Sequence, residues 1–365
     1  MIYVEDLLIT LKKKKINFFT GVPDSVLKNF TFELKKNHIT VNNEGTAVSL
    51  AAGYYLATGK LPCIYLQNSG LGNAINPLIS ITNKNVYSIP SILIIGWRGS
   101  PNSNDEPQHQ IMGEKTKEIL KLLGIKYCVL RNKKDFKRFQ ELIEYSKKKL
   151  TSVACLIERS TIKIKKNKKP KKIFNNYNIY RYDFIRELVN TINIKSSIIS
   201  STGFISRELD NILDQKQNSK IKPFYMVGGM GHSASLTLGV SLKSNKQSIC
   251  LDGDGSLLMH LGSLGIVTRY GKKNLKYILL RNDTHESVGG QPTNSKHINY
   301  KLLSKSFGFR SYFLIKSKFH FKNVLKKFMN SPGPIFLEVR IKNGSIKNLG
   351  RPKNLKFVKK KFMFK

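Results

Sequence analysis

The sequence has few acidic residues and few cysteines. It contains 23 Asp and Glu against 63 Lys and Arg in 365 residues, which gives a formal net charge of +40. The four cysteines are far apart, form no CxxC pair and each lie in or beside an apolar run: Cys63, Cys128, Cys155 and Cys250. We therefore predict reduced cysteines that pack in a core, with a disulfide or a metal site as the alternative.

Long hydrophobic runs are missing as well. No apolar stretch approaches the ~20 residues that a membrane-spanning helix needs. No basic segment followed by an apolar run begins the chain. We expect a cytoplasmic protein without a membrane partner. With 40% hydrophobic residues, a chain of this length can bury two ordinary cores, so two domains are expected.

The excess of positive charge would by itself suggest a nucleic-acid partner. A basic nucleic-acid-binding protein is the distant functional alternative, and it predicts Lys and Arg clustered with aromatic residues on one element. The lysines are instead scattered along the chain together with many Asn and Ile, as expected of a genome rich in adenine and thymine. We therefore expect no specific nucleic-acid partner.

Short apolar runs alternate with segments of helical period, a pattern typical of parallel sheets covered by helices on both faces. The expected fold class is α/β, with two doubly wound parallel-sheet domains. Strand candidates are 17–20, 63–67, 91–96 and 152–157 in the first half, and 197–200, 248–251, 277–280 and 335–339 in the second. Helices are predicted at a stripe of Val4, Leu7, Leu8 and Leu11, and at 182–194, 233–242 and 258–270.

Composition divides the chain further. Residues 1–160 form the first predicted domain and 177–345 the second. Between them, 161–176 is rich in lysine, cannot bury much surface and is predicted to be a linker. After the second domain, 346–365 is a basic tail with weak periodicity.

The second half carries a glycine-flanked carboxylate, Asp254, directly after a predicted buried strand. Ligands of open α/β sheets bind at this end of a strand. Gly255 permits close approach of a ligand to the backbone, and a carboxylate is the hard oxygen ligand that magnesium prefers. Taken alone, this segment is more typical of a plain strand-to-helix turn. Asn282 follows the next strand candidate and places a second oxygen-bearing side chain at the same sheet edge, which favours a ligand site.

Two further residues have a structural interpretation beside a functional one. Glu44 follows a short predicted strand and begins an Ala-rich helix, where an acid complements the helix dipole. A mostly desolvated glutamate is also suited to sharing a proton, because burial raises its pKa. Met230 lies in a glycine-rich turn, Met226-Val-Gly-Gly-Met-Gly-His232, where core packing is its default role.

Together these motifs resemble the thiamine-diphosphate-dependent enzymes. The resemblance rests on Gly253-Asp-Gly-Ser256 followed by Asn282, on the turn at 226–232 and on Val41-Asn-Asn-Glu-Gly-Thr-Ala-Val-Ser-Leu-Ala-Ala-Gly53. It implies that both halves have the thiamine-diphosphate-binding fold, a pyrimidine-binding half first and a diphosphate-binding half second. It also implies thiamine diphosphate and Mg²⁺ as cofactors.

The resemblance assigns the organic cofactor to five residues. Glu44 is implied as the catalytic acid that hydrogen-bonds a nitrogen of the aminopyrimidine ring. The carbonyl of Gly228 is implied to accept a hydrogen bond from the pyrimidine amino group, and Met230 to support the bent form of the cofactor. Gly255 and Ser256 correspond to the segment that binds the diphosphate.

The same resemblance implies the metal ligands. Asp254 and Asn282 would bind Mg²⁺ through side-chain oxygens, and Thr284 through its backbone carbonyl. The sequence departs from the family at Arg281, where an Asn is usual. Glu286 stands where an Asp is common.

Within the family, the chain resembles the compact phosphonopyruvate and sulfopyruvate decarboxylases, which contain only the two cofactor-binding halves. The motifs are Gly21-Val-Pro-Asp-Ser25, Gln67-Asn-Ser-Gly-Leu-Gly-Asn-Ala-Ile-Asn-Pro77, Gly96-Trp-Arg-Gly99, Asp105-Glu-Pro-Gln-His109 and Ser287-Val-Gly-Gly-Gln-Pro-Thr293. The resemblance implies decarboxylation of 3-phosphonopyruvate to phosphonoacetaldehyde and CO₂, in phosphonate biosynthesis of the 2-aminoethylphosphonate type. Sulfopyruvate decarboxylation is the alternative. At least a homodimer, with active sites shared between subunits, is also implied.

A small 2-oxo acid with a second anionic group needs cationic and hydrogen-bonding partners. The candidates are polar residues in predicted turns at strand ends of the first half: Asp24, Ser25, Arg98, Gln108 and His109. His232 and His285 lie beside the cofactor motifs, and either is a candidate for moving a proton. His285 is also a candidate for contacting the substrate.

Overall fold

The computed structural model describes residues 2–34, 38–101, 103–165, 175–192, 196–215 and 221–363. The chain divides into two compact units: the first comprises Met1–Lys172 and Val288–Gln291, the second Ile173–Ser287 and Pro292–Lys365. Both units are built on parallel sheets with helices, so the predicted α/β fold class is confirmed. The domain limits 1–160 and 177–345 stay predictions.

Strands and helices alternate along the first unit. Its strands are β1 (Ile2–Tyr3), β2 (Phe19–Gly21), β3 (His38–Thr40), β4 (Cys63–Gln67), β5 (Ile92–Trp97), β6 (Lys126–Val129), β7 (Val153–Glu158) and β8 (Ile162–Lys163). Its helices are α1 (Val4–Lys13), α2 (Lys28–Leu34), α3 (Glu44–Thr58), α4 (Leu71–Ser80), α5 (Pro107–Leu122) and α6 (Asp135–Lys149).

The first sheet runs in the order β3-β2-β4-β5-β7-β6 across the described residues, and all neighbouring strands are parallel. The central strand β5 is buried along its whole length. Such a continuous hydrophobic strand is typical of a sheet covered on both faces. The chain reverses its direction across the sheet between β2 and β4, and this is where open α/β sheets bind ligands.

The second unit follows the same plan. Its strands are β9 (Ile179–Tyr180), β10 (Ser197–Ser200), β11 (Lys222–Tyr225), β12 (Ser248–Gly253), β13 (Leu275–Arg281), β14 (Thr284–His285), β15 (Gln291–Pro292), β16 (Tyr312–Ile315) and β17 (Ile335–Lys342). Its helices are α7 (Arg181–Thr191), α8 (Phe204–Gln215), α9 (Ser233–Lys243), α10 (Asp254–Met259), α11 (Ser263–Tyr270), α12 (Tyr300–Phe307), α13 (Phe321–Asn330) and α14 (Leu355–Phe362).

The second sheet runs in the order β11-β10-β12-β13-β17-β16, with β9 also beside β17, over the part of the chain that the structure describes. Numbered from its own first main strand, β10, this is the strand order of the first unit. The two halves therefore repeat one topology. The reversal falls between β10 and β12, and β12 ends directly before Asp254.

The limits of the predicted strands lie within three residues of the observed ones, but the prediction was incomplete. It missed the edge strands β6, β11 and β16, and it gave no bounds for the short strand before Glu44, which is the edge strand β3. Each is more exposed than the central strands. An edge strand therefore lacks the continuous apolar run that reveals a central strand of a parallel sheet.

The predicted helix at 258–270 was wrong, because two helices occupy 254–270. They are α10 and α11, and the backbone leaves the helical region at His260, with φ −134° and ψ 49°. Gly262 follows, and glycine has a low helix propensity. The predicted helix 182–194 corresponds to α7, and its residues 193–194 lie outside the described residues.

The predicted linker and tail contain regular structure. Ile162 in β8 is buried and pairs with Ile2, so this part of the predicted linker was wrong. Residues 166–174 of the linker lie outside the described residues. In the tail, α14 packs on β11, where the rings of Phe362 and Phe224 lie 5.4 Å apart. Apolar contacts therefore pack this basic segment against the edge strand β11.

The four cysteines are free and buried, which confirms their prediction as packing residues. Cys128 and Cys155 are register partners on β6 and β7. Within the described residues, no helix combines the length and apolar character needed to cross a bilayer.

Candidate active site

Glu44 is the first residue of α3 and follows the carboxyl end of β3. The side chain of Asn43 accepts a hydrogen bond from the Gly45 N–H at 2.8 Å and caps the helix. Glu44 itself is therefore not the capping residue. Its side chain is only 5% exposed, which is unusual for an acid at a helix start.

Two neighbours define the surroundings of the Glu44 carboxyl group. Asn73 Nδ2 on α4 donates a hydrogen bond to Glu44 Oε2 at 2.7 Å. Gly70 is so close that a Cβ atom there would lie 2.2 Å from Glu44 Oε1. Burial raises the pKa of Glu44, and the hydrogen bond from Asn73 opposes this. The chain thus holds a carboxyl group that is ready to share a proton.

Gly70→Ala is expected to displace the Glu44 side chain and to destabilise the protein by roughly 1–3 kcal/mol, because the new methyl group overlaps the carboxyl group. Gly72→Ala is the matched control, since no heavy atom lies within 4 Å of a Cβ atom at that position. Thermal unfolding of both variants is the measurement. Equal stability of the two variants would contradict the observed packing of Glu44.

A hydrogen-bonded network lies at the same sheet edge, after β2 and β5. Arg98 donates from Nε to Asp105 Oδ2 at 2.6 Å and from Nη2 to Asp105 Oδ1 at 2.5 Å. Its Nη1 donates to Ser25 Oγ at 3.2 Å. Burial acts to raise the pKa of Asp105, but its bonds to Arg98 hold it below the ordinary value. Arg98 is therefore a paired cation.

Asp24 lies beside this network and is almost completely buried. Its Oδ2 accepts hydrogen bonds from the N–H groups of Val26 at 2.9 Å and Leu27 at 3.1 Å. Its Oδ1 has no hydrogen-bond partner among the described residues. Burial raises the pKa of Asp24 to about 6, and these N–H groups and Arg98 oppose the rise.

His109 and Gln108 lie in the first turn of α5, and not in a loop as predicted. Burial, helped by Arg98, lowers the pKa of His109 to about 4, so its ring is neutral at neutral pH. Gln108 Nε2 donates to Glu106 Oε2 at 2.6 Å. Asp24, Ser25, Arg98 and His109 therefore come together, whereas Gln108 is hydrogen-bonded to Glu106.

In the second unit, Asp254 begins α10 at the carboxyl end of β12. Its Oδ2 accepts hydrogen bonds from the Asp283 N–H at 2.9 Å and from Thr293 Oγ1 at 2.8 Å. The carboxyl group is 2% exposed, and burial raises its pKa to about 6. Burial makes an ionised carboxylate costly at this position, and a bound cation would offset that cost.

Asn282 and Thr284 complete an oxygen-rich loop beside Asp254. Asn282 Oδ1 accepts a hydrogen bond from the Thr284 N–H at 3.2 Å, and both residues are buried. One carboxylate, one amide oxygen and one main-chain carbonyl fit a hard cation such as Mg²⁺, which uses few protein ligands. Among the described residues, no group of three or more His, Cys, Asp or Glu side chains is placed to hold a metal ion.

The glycine-rich turn at 226–232 packs against this segment. The Gly231 N–H donates to Ser256 Oγ at 3.0 Å. A Cβ atom at Gly255 would lie 2.8 Å from His285 Cε1 and 3.3 Å from Met230 Cε. Gly228 has φ 83°, a conformation that favours glycine. The structure therefore brings Ser256, Gly255, Met230 and His285 together.

The two candidate proton carriers differ in their surroundings. His285 is buried, its Nε2 has no hydrogen-bond partner in the described chain, and burial lowers its pKa to about 4. It is thus neutral at neutral pH. His232 is exposed and stacks on His260, with ring centres 4.5 Å apart.

Several residues of the site were missed or had no predicted role. Asn73, Gly70, Asp105 and Thr293 lie within recognised motifs, yet nothing in the sequence indicated their partners. Glu286 has a clear structural role, because its Oε2 accepts hydrogen bonds from Asn282 Nδ2 at 3.3 Å and from the buried Arg181 Nη1 at 2.9 Å. It therefore orients the Asn282 amide.

Comparison with known families agrees with this geometry. Residues 1–158 match the N-terminal TPP binding domain of thiamine pyrophosphate enzymes, and residues 201–339 match the C-terminal TPP binding domain. The chain belongs to the thiamine pyrophosphate enzyme family. Thiamine pyrophosphate, the same compound as thiamine diphosphate, is therefore the cofactor.

Relatives place this thiamine pyrophosphate enzyme among the decarboxylases. It is 31% identical to phosphonopyruvate decarboxylase of Streptomyces hygroscopicus, over 97% of this chain and 91% of that protein. It is 27% identical to sulfopyruvate decarboxylase of Methanosarcina acetivorans, over 93% of this chain and 92% of that protein. Sulfopyruvate decarboxylase subunit beta of Methanocaldococcus jannaschii is 36% identical over 35% of this chain and 66% of that subunit.

Proposed function

We propose that this enzyme decarboxylates 3-phosphonopyruvate to phosphonoacetaldehyde and CO₂, with thiamine pyrophosphate and Mg²⁺, in phosphonate biosynthesis. The observation that carries the proposal is the near full-length similarity to the Streptomyces hygroscopicus phosphonopyruvate decarboxylase. The motif residues Glu44, Asp254 and Asn282 are all present and buried. The reaction is consistent with both the similarity and the geometry of each half.

Glu44 is proposed as the catalytic acid. Bound thiamine pyrophosphate supplies an electron sink for the electron pair that remains when CO₂ leaves. Burial raises the pKa of Glu44, which favours a carboxyl group that can donate as well as accept a proton, and Asn73 fixes its orientation. The proton therefore moves at Oε1 or Oε2 of Glu44, shielded from bulk water.

Asp254 and Asn282 are proposed to hold Mg²⁺ through side-chain oxygens, and Thr284 through its backbone carbonyl. Gly255 and Ser256 would bind the diphosphate, and Gly228 and Met230 the rings of the cofactor. The burial of Asp254, which makes its ionised form costly without a nearby cation, supports the metal assignment. The position of Gly255 and Ser256 at the start of α10, directly after the carboxyl end of β12, supports the diphosphate assignment.

The substrate is proposed to bind at the network of the first unit. Arg98 carries the positive charge, and Ser25 and neutral His109 offer hydrogen bonds. The unpartnered Oδ1 of Asp24 is suited to accept a hydrogen bond or a proton. Gln108 is the weakest candidate, because it is bonded to Glu106. His285 is proposed to contact the substrate, because its Nε2 is buried and has no hydrogen-bond partner among the described residues.

Sulfopyruvate is the second candidate substrate. It carries a sulfonate where phosphonopyruvate carries a phosphonate, so the same donors would recognise it. The full-length similarity to the Methanosarcina acetivorans enzyme favours this alternative, at a lower identity than that of the Streptomyces relative.

We also propose at least a homodimer with shared active sites and a cytoplasmic location. The subunit name of the Methanocaldococcus relative supports assembly from more than one chain. The four free, buried cysteines are consistent with a reducing compartment. Light scattering of the purified chain would measure its mass, and a monomer would contradict the homodimer.

The test of function is the release of CO₂ and aldehyde from phosphonopyruvate, sulfopyruvate and pyruvate. Each is measured with and without thiamine pyrophosphate and Mg²⁺. Cofactor-dependent turnover is expected to be fastest with phosphonopyruvate. Faster turnover of sulfopyruvate would establish the alternative, and no turnover of any substrate would refute the proposed reaction.

A further inference from the structure

Arg281 departs from the family signature and ends β13 directly before the metal-ligand candidate Asn282. Its Nε donates to Asp283 Oδ1 at 2.7 Å, and its Nη1 donates to Glu338 Oε1 at 3.1 Å. The guanidinium group also lies 5.4 Å from the centre of the Tyr300 ring. Because Arg281 is 5% exposed, these contacts are made away from water.

The side chain and the backbone of Asp283 form hydrogen bonds with different residues. Arg281 binds its Oδ1, and the Tyr177 hydroxyl donates to its Oδ2 at 2.9 Å. Its backbone N–H donates to Asp254 Oδ2 at 2.9 Å. The residue has φ 61°, in the left-handed region that non-glycine residues rarely adopt. The loop therefore places Asp283 next to the proposed metal ligand while both carboxylate oxygens are occupied.

We propose that Arg281 and Tyr177 are positioning residues that keep the Asp283 carboxylate out of the metal's coordination shell and so favour Mg²⁺ over Ca²⁺. The inference rests on the proposed magnesium site. Mg²⁺ keeps several waters and binds few protein carboxylates, whereas Ca²⁺ accepts about 6–8 oxygen ligands. A released Asp283 would add a second carboxylate beside Asp254. Ca²⁺ would gain more from that ligand than Mg²⁺.

Removal of Arg281 leaves its other partner satisfied. Glu338 also accepts hydrogen bonds from Arg340 Nε at 3.0 Å and from the Tyr312 hydroxyl at 2.5 Å. The buried carboxylate of Glu338 is thus not left without a partner in Arg281→Met. The main effect of Arg281→Met is therefore that the Asp283 carboxylate loses its hydrogen bond from Arg281.

The test is calorimetric binding of thiamine pyrophosphate to the full chain, titrated with Mg²⁺ or with Ca²⁺. The measured quantity is the Mg²⁺ concentration for half-maximal binding divided by that of Ca²⁺. In Arg281→Met this ratio is expected to rise by about fivefold or more, because Ca²⁺ can add the released carboxylate to its oxygen ligands, whereas Mg²⁺, which binds few protein carboxylates, gains less from it. Tyr177→Phe removes one of the two restraints on Asp283, so a smaller rise is expected.

The matched control is the double variant Arg281→Met with Asp283→Asn, in which the ratio is expected to return to the wild-type value. The loss of the Arg281 charge changes the electrostatic attraction of both ions alike and leaves the ratio constant. A changed ratio therefore indicates that Asp283 has become a metal ligand, and not merely that the local charge has changed. An unchanged ratio in Arg281→Met, or a raised ratio in the double variant, overturns the inference.

Two further outcomes of the binding experiment test something other than the role of Arg281 itself. Wild-type protein that binds thiamine pyrophosphate without any dependence on metal refutes the proposed magnesium site itself, and with it the basis of this inference. If Arg281→Met does not fold, Tyr177→Phe decides, because a raised ratio supports the restraint and an unchanged ratio overturns it.

Discussion

Glu44→Gln is expected to slow turnover by about 10²–10⁴-fold, the usual contribution of a positioned acid or base. The substituted side chain has the same shape, and its amide oxygen can still accept the hydrogen bond from Asn73. It cannot exchange a proton in the reaction. The measurement is CO₂ release at saturating cofactor and substrate, with the melting temperature as the check on folding.

The stability of this variant gives an independent measure of the Glu44 environment. Burial raises the pKa of Glu44 in the folded protein, so the folded state favours the protonated form. The stability that this proton contributes is present at low pH and is lost as the pH rises through the folded-state pKa. Glu44→Gln carries no ionisable group there, so its stability relative to wild type is expected to increase with pH.

Asp135→Asn is the control for a general effect of an acid at a helix start. Asp135 is the first residue of α6 in the same unit, and it accepts hydrogen bonds from the N–H groups of Arg131 and Asn132. It lies outside the proposed site, so turnover is expected to stay at the wild-type level. Full activity of Glu44→Gln would remove Glu44 from the mechanism, whatever the control shows.

The sequence predicted the parts of the fold that burial makes visible. The central strand β5 is a continuous apolar run, and β13 contains one at 277–280. The ends of these strands place Arg98 and Asn282 at the ligand-binding edges of the sheets. The edge strands β6, β11 and β16 were missed because each pairs with a neighbouring strand on one side only, and their residues are partly exposed. Local pattern therefore located the sites without giving the full sheets.

The hydrogen-bond partners of the site residues could not be predicted from the local sequence pattern. Asn73 meets Glu44, and Asp105 meets Arg98, only because strands and helices bring distant segments together. Arg98 was predicted as a cation for the substrate, and the structure adds that its charge is shared with Asp105. Arg281, the residue that departs from the family signature, is bound to Asp283 and Glu338. The spacing of residues along the sequence does not predict these contacts.

Asp254→Asn is expected to raise the Mg²⁺ concentration for half-maximal thiamine pyrophosphate binding by about 100-fold or more, since even residues behind the direct ligands alter metal affinity by 10–100-fold. The metal-free protein is expected to change in the opposite direction. Burial raises the pKa of Asp254 to about 6, so ionisation at neutral pH opposes folding. Its replacement by a neutral amide should stabilise the metal-free fold by roughly 1–3 kcal/mol.

Opposite signs for metal binding and stability distinguish a ligand from an ordinary buried acid. Asp183→Asn is the control, because Asp183 lies near the surface of α7 and pairs with exposed Arg186. A variant Asp254→Asn that binds metal and cofactor as tightly as wild type would remove Asp254 from the proposed site.

The two loss-of-function variants together test the shared site. If each active site combines Glu44 of one subunit with Asp254 of another, co-expression of Glu44→Gln with Asp254→Asn produces mixed dimers. One site in each mixed dimer then carries both substitutions and the other carries neither, so activity returns. If each subunit holds a complete site of its own, every site retains one lesion and the mixture stays inactive. Recovered turnover therefore requires shared sites, and folded but inactive mixed dimers contradict them.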